Sequence, residues 1–243
     1  MKIKYSATVL IIFVFLAGVW SSCSKDDYYT DGGLAEAVFP GTIMDYLDSK
    51  PVEFDTIAEI IRLAGLEEKF KKEEMTFFAP RDEDVKDLIG TFEEGGLNRD
   101  LYYLGLDTIE NLADVEPYIW EQFLLRHVFR GKTKLEDYTQ IDFSLMNIYG
   151  GENYISQAET ICNIGVVFND AEGEGSSLKY MGYRQLYISY IPDPAFPDSF
   201  RSFPVASSDI QPSNGVVHVI DYTEGEFGFS HSEVRNDVIE SKR

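Results

Sequence analysis

The spacing of apolar residues changes partway along the 243-residue chain. Before about residue 131, apolar residues recur mostly every three or four positions, which is typical of amphipathic helices. The clearest helix is predicted over residues 55–72, with Thr56 and Glu59 as a capping box and Gly65 as a cost or a local break. Shorter helices are predicted at three further places: after a cap at Thr42, over residues 81–89, and from Pro117 through His127.

Short β-rich runs replace this pattern from about residue 141 onward. Strands are predicted at residues 166–168, 185–191 and 216–222, with Gly-rich and Pro-rich turns between them. An earlier strand begins at Thr76 and is ended by Pro80, because proline cannot donate the next ladder hydrogen bond. Helices followed by strands indicate one α+β domain. Residues 229–243 are predicted to be a polar, frayed C-terminal tail.

The amino-terminal residues have the layout of an export signal. Lys2 and Lys4 precede an apolar run over residues 7–19, and small residues then lead to Cys23. The segment resembles a lipobox, with Trp20 at a position where an aliphatic residue is usual. The alternative is a retained anchor helix, although the run is shorter than the ~20 residues that span a bilayer.

This interpretation predicts how the amino-terminal part of the chain is processed and where the protein is located. Residues 1–22 are predicted to be a lipoprotein signal peptide, Cys23 to be lipidated, and residues 23–39 to be a flexible acidic tether. Ser24 after the cysteine resembles outer-membrane sorting, and residues 24–28 resemble the short acidic tether of lipoproteins sent to the outer surface, so we expect a lipid-anchored protein exposed at the cell surface. The formal charge of −21 argues against nucleic acid as a partner and against adsorption to anionic lipid. Membrane attachment must therefore come from the acyl chains.

Three segments together resemble the signatures of one family. They contribute Thr76, Phe78, Ala79 and Pro80, then His127, and finally Asn214, Gly215, His218, Ile220 and Asp221. Their order and placement are similar to those of fasciclin domains, and the resemblance covers residues 40–228. It implies a single fasciclin-like domain in which helices pack against a β-sheet wedge, and a role in adhesion or ligand binding.

The sequence also departs from the pattern of that family. Arg126 stands where the family often has tyrosine, and Asp84 and Val85 replace the usual alanine and phenylalanine. The stretch between the second and third segments is longer than expected. It predicts an extended insertion of strands and loops at roughly residues 141–210.

The motif residues have structural explanations. Asn214 and Gly215 both tolerate positive φ, so they predict a tight turn before the last strand. His127 and His218 are expected to bond backbone groups near the motif strands, and a metal or catalytic role is the alternative. Cys162 lies in an apolar stretch, which favours a buried free thiol over a nucleophile.

Aromatic residues of the insertion form the candidate ligand surface. Tyr187, Phe196 and Phe200 could stack on sugar rings or on a partner protein, and the alternative is that they fill the core. Side chains alternate along the strand that contains Tyr187, which puts Tyr187 and Ser189 on one face. Three residues on the other face are expected to enter the core: Leu186, Ile188 and Tyr190.

Residues for catalysis or for a cofactor are scarce. The chain has 3 histidines and no P-loop, nucleophile elbow or His-Glu-x-x-His motif, so no cofactor is expected. The acidic turn around Asp170 could hold Ca²⁺, but it lacks the EF-hand pattern, and a solvated turn is preferred.

Three functional hypotheses follow. The first is a non-enzymatic adhesion or ligand-binding module with an extracellular glycan or protein ligand, associated by analogy with polysaccharide uptake. The second is a structural or accessory envelope protein that binds another protein. The third and least supported is a glycoside hydrolase. Exposed aromatics on a concave face would favour the first, a flat apolar patch the second, and buried proton-shifted carboxylates the third.

Overall fold

The computed structural model describes residues 37–93, 95–173, 176–197, 199–221 and 223–243. The predicted signal peptide, the predicted lipidation site at Cys23 and the predicted tether as far as residue 36 lie outside the described residues. Within the described part of the chain, no helix is long and apolar enough to cross a membrane.

Seven α-helices lie within the described residues. They are α1 (Ile43–Asp48), α2 (Pro51–Leu63), α3 (Glu67–Lys72), α4 (Asp82–Ile89), α5 (Leu97–Leu104), α6 (Pro117–Leu125) and α7 (His231–Ser241). The Thr42 hydroxyl caps α1 by accepting a hydrogen bond from the Asp45 backbone N–H at 3.2 Å, as predicted. Pro117 starts α6, where its missing N–H costs nothing, also as predicted.

The long helix predicted over residues 55–72 is wrong at its start, and of the two alternatives at Gly65 the structure has the local break. Helix α2 already begins at Pro51, so Thr56 and Glu59 lie inside it and do not cap it. The helix ends at Leu63, and Gly65 at φ +72° separates it from α3. A left-handed φ is cheap only for glycine, so Gly65 marks the break between two helices.

The strands form one large sheet and a separate hairpin. They are β1 (Met75–Ala79), β2 (Val128–Arg130), β3 (Gln140–Ile141), β4 (Glu152–Ile155), β5 (Ile161–Phe168), β6 (Ala171–Gly173), β7 (Ser176–Leu178), β8 (Arg184–Ile191), β9 (Arg201–Ile210) and β10 (Gly215–Ile220). The sheet order is β2-β1-β10-β9-β8-β5-β3, β4 also pairs with β5, and β6 pairs with β7. The parallel pairing of β1 with β10 sets the first motif segment beside the third, with Phe78 opposite His218.

Two apolar clusters fill the interior. Phe77 belongs to the cluster built mainly from the helices, whereas Phe78 belongs to the cluster built mainly from β5, β8 and β9. Both phenylalanines are fully buried. Because successive residues of a strand point to opposite faces, β1 is covered on both sides. The fold is the predicted α+β class, with helices packed against a curled sheet.

The prediction of a frayed polar tail over residues 229–243 is wrong. Ser230 caps α7, whose Val234 and Val238 are buried. Valines four positions apart share one helix face, and two of them suffice to dock a short helix whose other residues are polar. Arg235 of α7 also pairs with Asp100 of α5 at 3.1 Å.

Candidate functional site

His127 lies at the junction of the motif segments and is fully buried. Its Nδ1 donates to the Phe78 carbonyl oxygen at 3.0 Å, and its Nε2 accepts from the Gly228 N–H at 2.9 Å, a tautomer assigned from these partners. Burial lowers the pKa of His127 to about 3, so the ring is neutral at pH 7. Both ring nitrogens are engaged by the backbone, as predicted.

His218 is engaged in the same way. Its Nε2 donates to the Thr133 carbonyl oxygen at 3.0 Å, and its Nδ1 accepts from the Asp209 N–H at 3.3 Å. Burial lowers the pKa of His218 to about 4. The ring also lies against Phe78, with centroids 5.0 Å apart. Neither motif histidine has a ring nitrogen left to bind a metal or to move a proton.

Asn214 connects segments that are far apart in the chain. Its Nδ2 donates to the carbonyl oxygens of Phe70 and Glu73 at 2.9 and 3.0 Å, and its Oδ1 accepts from the Ile43 N–H at 2.8 Å. One side-chain amide therefore satisfies three backbone groups around the ends of α1 and α3, which would otherwise lack partners.

The turn predicted before the last strand is present, with the Gly215 N–H bonded to the Pro212 carbonyl oxygen at 3.2 Å, but its expected cause is wrong, because neither Asn214 nor Gly215 has positive φ. Gly215 is instead required by close packing. A Cβ at this position would strike the Met75 carbonyl oxygen of β1 and lie 2.6 Å from Ile43 Cδ1. The motif glycine thus lets two strands and a helix approach each other.

The remaining motif residues also hold the fold together. Thr76 Oγ1 donates to the Gly131 carbonyl oxygen at 2.8 Å and accepts from the Thr133 N–H at 2.9 Å. Asp221 Oδ1 accepts from the backbone N–H and the hydroxyl of Thr223 at 2.8 and 2.6 Å. Four more motif residues are buried: Phe78, Ala79, Pro80 and Ile220.

Arg126, which stands where tyrosine is common, anchors α7. The side chain is 8% exposed, and its Nη1 lies 2.7 Å from Glu233 Oε2 of α7. The same nitrogen donates to the Tyr190 hydroxyl at 3.2 Å and to the Gly228 carbonyl oxygen at 3.1 Å. The guanidinium also lies 4.3 Å from the Phe123 ring centroid. These contacts offset much of the cost of burying the charge, although Nε of Arg126 has no hydrogen-bond partner.

Two buried carboxyl groups occupy the first turn of α4. Asp82 accepts from the Ile57 N–H at 3.1 Å, and Asp84 accepts from the Arg81 N–H at 2.8 Å. Burial raises the pKa of Asp82 to about 6 and the pKa of Asp84 to about 7. Each residue is only 1% exposed. Both pKa values are raised, but the two carboxyl groups bond different backbone groups and a substrate cannot reach them.

The three residues of the predicted ligand surface do not lie together in the structure. The rings of Tyr187 and Phe143 lie 5.2 Å apart, and Phe143 lies 6.3 Å from Phe200. Tyr187 and Phe200 are therefore half-buried around Phe143, whereas Phe196 is 66% exposed on a turn that follows Asp193. The predicted inward residues are buried: Leu186, Ile188 and Tyr190. Ser189 is buried as well, so only the Tyr187 end of its face is open.

A cleft of about 480 Å³ opens where β3 and β5 meet the β6–β7 hairpin. Its aromatic and charged lining residues are Phe168, Tyr180, Tyr183, Asp142, Asp170, Glu172 and Lys179. The volume is within the range of small-ligand sites. We call this feature the insertion cleft.

Tyr180 organises the insertion cleft. Its hydroxyl donates to Asp142 Oδ2 at 3.0 Å, and its backbone N–H donates to Asp170 Oδ1 at 2.8 Å. These bonds hold Tyr180 at φ +61°, a conformation that tyrosine rarely adopts and that often accompanies functional sites. Tyr183 is 68% exposed and presents its ring to solvent.

The charges of the cleft are fixed by hydrogen bonding. The Ser144 hydroxyl lowers the pKa of Asp142, so this carboxylate is ionised at pH 7. The hydrogen bond to Asp142 raises the pKa of Tyr180, so the phenol keeps its proton. The cleft therefore offers carboxylate acceptors, a lysine donor and aromatic faces together.

The sequence did not single out Asp142, because its contact with Tyr180 spans 38 positions of the chain. The structure also bears on the predictions for Cys162 and for the acidic turn around Asp170. Cys162 is fully buried, and burial raises the pKa of its thiol to about 12, which agrees with an inert thiol. Among the described residues, no group of three or more acidic, histidine or cysteine side chains could hold a metal ion, and Glu174 of the acidic turn lies outside them.

Comparison with known proteins identifies the family. The model of the fasciclin domain matches residues 52–223, more than half of the chain, so this chain belongs to the fasciclin domain family. A solved FAS1 domain pair from the insect cell adhesion molecule Fasciclin I is 18% identical, with a TM-score of 0.46. The similarity covers 75% of this chain and 50% of that chain, so this protein spans half the length of that structure. No curated protein matches the chain.

Proposed function

We propose that this protein is a non-enzymatic adhesion or ligand-binding module, held at the outer membrane by a lipid on Cys23 and exposed at the cell surface. Membership of the fasciclin family supports an adhesion-type module. The basic, apolar and small residues before Cys23 support the lipid anchor. Because the motif residues form bonds within the fold, the ligand must bind to other residues at the surface.

The observation that carries the choice of ligand is the insertion cleft. Its exposed Tyr183 ring offers a flat face on which a sugar ring can stack. Asp142 and Glu172 offer oxygens that accept hydrogen bonds from sugar hydroxyls, and Lys179 is a donor. This combination suits an extracellular glycan, as an association with polysaccharide uptake would require.

The test of the ligand is binding of the purified full-length protein to an array of polysaccharides, with the Tyr183→Ala variant in parallel. We expect saturable binding to one glycan class and at least a tenfold weaker affinity for the variant, about 1.4 kcal/mol. The matched control is Tyr118→Ala, since Tyr118 is 56% exposed on α6, outside the cleft. Equal loss in both variants, or no binding to any glycan, would contradict the proposal.

The lipid anchor has its own test. Cells that express the protein are labelled with a radioactive fatty acid, and the Cys23→Ala variant is compared with the wild type. We expect the label and outer-membrane fractionation only in the wild type. Label that persists in the variant would show that the anchor is elsewhere. Protease treatment of intact cells separately tests surface exposure.

A second candidate is an accessory envelope protein that binds another protein through the insertion. Three apolar side chains of the insertion are candidates for that contact, since each is at least 69% exposed: Ile148, Ile155 and Met181. In this case Ile155→Asp would abolish association with the partner protein. Neither the wild type nor the Tyr183→Ala variant would bind a glycan.

A further inference from the structure

A second aromatic surface lies in the helical part of the molecule, outside the insertion. It consists of Phe92, Tyr102, Tyr103 and Leu104, and we call it the α5 platform. The Phe92 and Tyr102 rings meet edge to face with centroids 4.8 Å apart, and each lies 5.9 Å from Tyr103. The three rings are nevertheless 50%, 61% and 73% exposed, so they pack on each other and not into the core.

The helix geometry explains this exposure. Leu97 and Leu101 are buried, and residues four apart occupy one face of α5. Three consecutive large residues, 102–104, cannot share that face, and Gly105 at φ +68° ends the helix immediately after them. The platform is therefore a fixed feature of a docked helix.

A notch of about 340 Å³ opens at this platform, lined by Phe92, Asn98, Tyr102 and Thr108. The Asn98 amide is already used, because it donates to the Ile109 carbonyl oxygen at 2.9 Å and accepts from the Ile109 N–H at 2.7 Å. This pair fixes the wall of the notch and leaves its lining mainly aromatic. The notch can accept one apolar side chain.

The charge around the platform is strongly negative. Residues 90–116 contain seven acidic residues and a single basic residue, Arg99, and one of the acids, Asp100, is paired with Arg235 of α7. Glu93 follows Phe92 and Asp107 precedes Thr108, and both acids are exposed, as is Glu110. Exposed aromatic rings bordered by carboxylates attract cations through ring faces and charge together. The same carboxylates repel anionic lipid and acidic polymers.

We propose that the α5 platform is a docking site for a basic segment of a partner protein, in which lysine or arginine side chains flank one aromatic anchor. The anchor fills the notch, as central aromatic residues do in protein interfaces. The flanking cations contact the faces of Tyr102 and Tyr103 and the nearby carboxylates. This site is separate from the insertion cleft, so it stands or falls independently of glycan binding.

The test measures fluorescence anisotropy of labelled peptides against the purified full-length protein. The probes are a peptide of lysines around one phenylalanine, its glutamate counterpart, and a lysine peptide with serine in place of phenylalanine. We expect the first peptide to bind, with affinity that falls as salt rises, and each of the other two to bind at least about fivefold more weakly. Tyr102→Ser and Phe92→Ser should weaken the first peptide by a similar factor.

Tyr118→Ser is the matched control, since it removes an exposed tyrosine outside the platform. Asp107→Lys should also weaken the first peptide while it leaves every aromatic ring in place. Equal binding of the lysine and glutamate peptides would overturn the proposal, and so would wild-type affinity in the two platform variants. A concentration-dependent dimer that Tyr102→Ser abolishes, or binding to phosphatidylcholine vesicles that it abolishes, would also overturn it by naming a different occupant.

Discussion

The motif junction and the insertion cleft use polar side chains in opposite ways. At the junction, His127, His218 and Asn214 are buried and bonded to the backbone. In the cleft, Tyr180 and Asp142 bond each other at the edge of an open cavity, beside the exposed Tyr183. The family-motif residues therefore maintain the fold, and the surface chemistry lies on other parts of the chain, including residues 141–210, which were predicted to be an insertion. A family signature of this kind identifies a scaffold before it identifies a ligand.

The largest expected effect that tests this contrast is His127→Leu. The change leaves the Gly228 N–H and the Phe78 carbonyl oxygen without partners in the core. Each unsatisfied buried group costs ~1–3 kcal/mol, so we expect the free energy of unfolding to fall by ~3–5 kcal/mol. Urea denaturation measures it. Tyr183→Ala is the comparison, and its stability should lie within ~0.5 kcal/mol of the wild type.

His127 also makes a pH-dependent contribution. Its pKa is about 3 in the folded protein and ordinarily 6.5, so the unfolded chain binds more protons between these values. The stabilisation is complete above pH 6.5 and is lost as pH falls toward 3. His127→Gln does not titrate and should flatten this part of the curve. A mutant curve parallel to that of the wild type would contradict the assignment of a neutral, buried ring.

The next effect concerns a buried group whose pKa moves in the opposite direction. The pKa of Asp84 is about 7 in the fold, above its ordinary 3.8, because burial penalises the charge; Asp87 and Glu83 add to the shift and Arg81 opposes it. The folded protein therefore binds more protons between pH 4 and 7, and stability falls as pH rises through that window.

Asp84→Asn removes this titration and retains an oxygen that can accept from the Arg81 N–H. At pH 5 the variant and the wild type should have similar stability. Above pH 8 the variant should be more stable, by a difference on the order of 3 kcal/mol. Thermal unfolding at the two pH values measures it, and the contributions of the histidines cancel in the comparison. A variant that is less stable at pH 8 would show that the carboxylate is ionised and well bonded in the fold.

A third prediction concerns the ion pair between the junction and the C-terminal helix. Glu233→Gln removes the charge partner of Arg126, whose side chain is 8% exposed. Because Glu233 itself is 36% exposed, water can replace part of the interaction, and we expect a loss of ~1–2 kcal/mol. In the Glu233→Gln variant, hydrogen exchange of α7 should be faster than in the wild type, and the increase should be larger for α7 than for β1. The control is Glu240→Gln on the same helix, which should leave α7 unchanged.

Local signals in the sequence predicted local structure well. Thr42, Pro80 and Pro117 act within a few residues of the chain, and each marks the boundary that it predicted. The capping box at Thr56 was wrong because Pro51 starts the helix one turn earlier. Such competition between two start signals is decided by packing, which a single segment does not contain.

Contacts between distant segments could not be predicted from the sequence pattern. Helix α7 looks polar in isolation, because its docking depends on Val234, Val238 and an ion pair with Arg126, more than 100 positions away. The cleft depends on the contact between Asp142 and Tyr180. Aromatic density did indicate the insertion as a surface region, but the α5 platform was missed, because α5 is only eight residues long, lacks a side-chain cap and was not predicted as a helix.

The smallest expected change in the free energy of unfolding is for an exposed aromatic residue of the insertion, and a half-buried one should differ from it. Phe196 is 66% exposed, so Phe196→Ala should change the free energy of unfolding by less than ~0.5 kcal/mol. Tyr187 is half-buried against Phe143, and Tyr187→Ala should cost ~1–2 kcal/mol by removing that edge-to-face contact and its apolar area. Phe200, which reaches the same ring at 6.3 Å, should behave like Tyr187 on a smaller scale.

Glycan binding by these two variants then locates the ligand within the insertion. If the ligand occupies the insertion cleft, Phe196→Ala should bind like the wild type, because Phe196 does not line the cleft. Tyr187→Ala should weaken binding at most a few-fold, through the connection from Phe143 to the adjacent Asp142. A large loss of binding in Phe196→Ala, with stability unchanged, would move the ligand from the cleft to the exposed turn. The insertion would then bind through a protruding loop, and the strained conformation of Tyr180 would need a structural explanation.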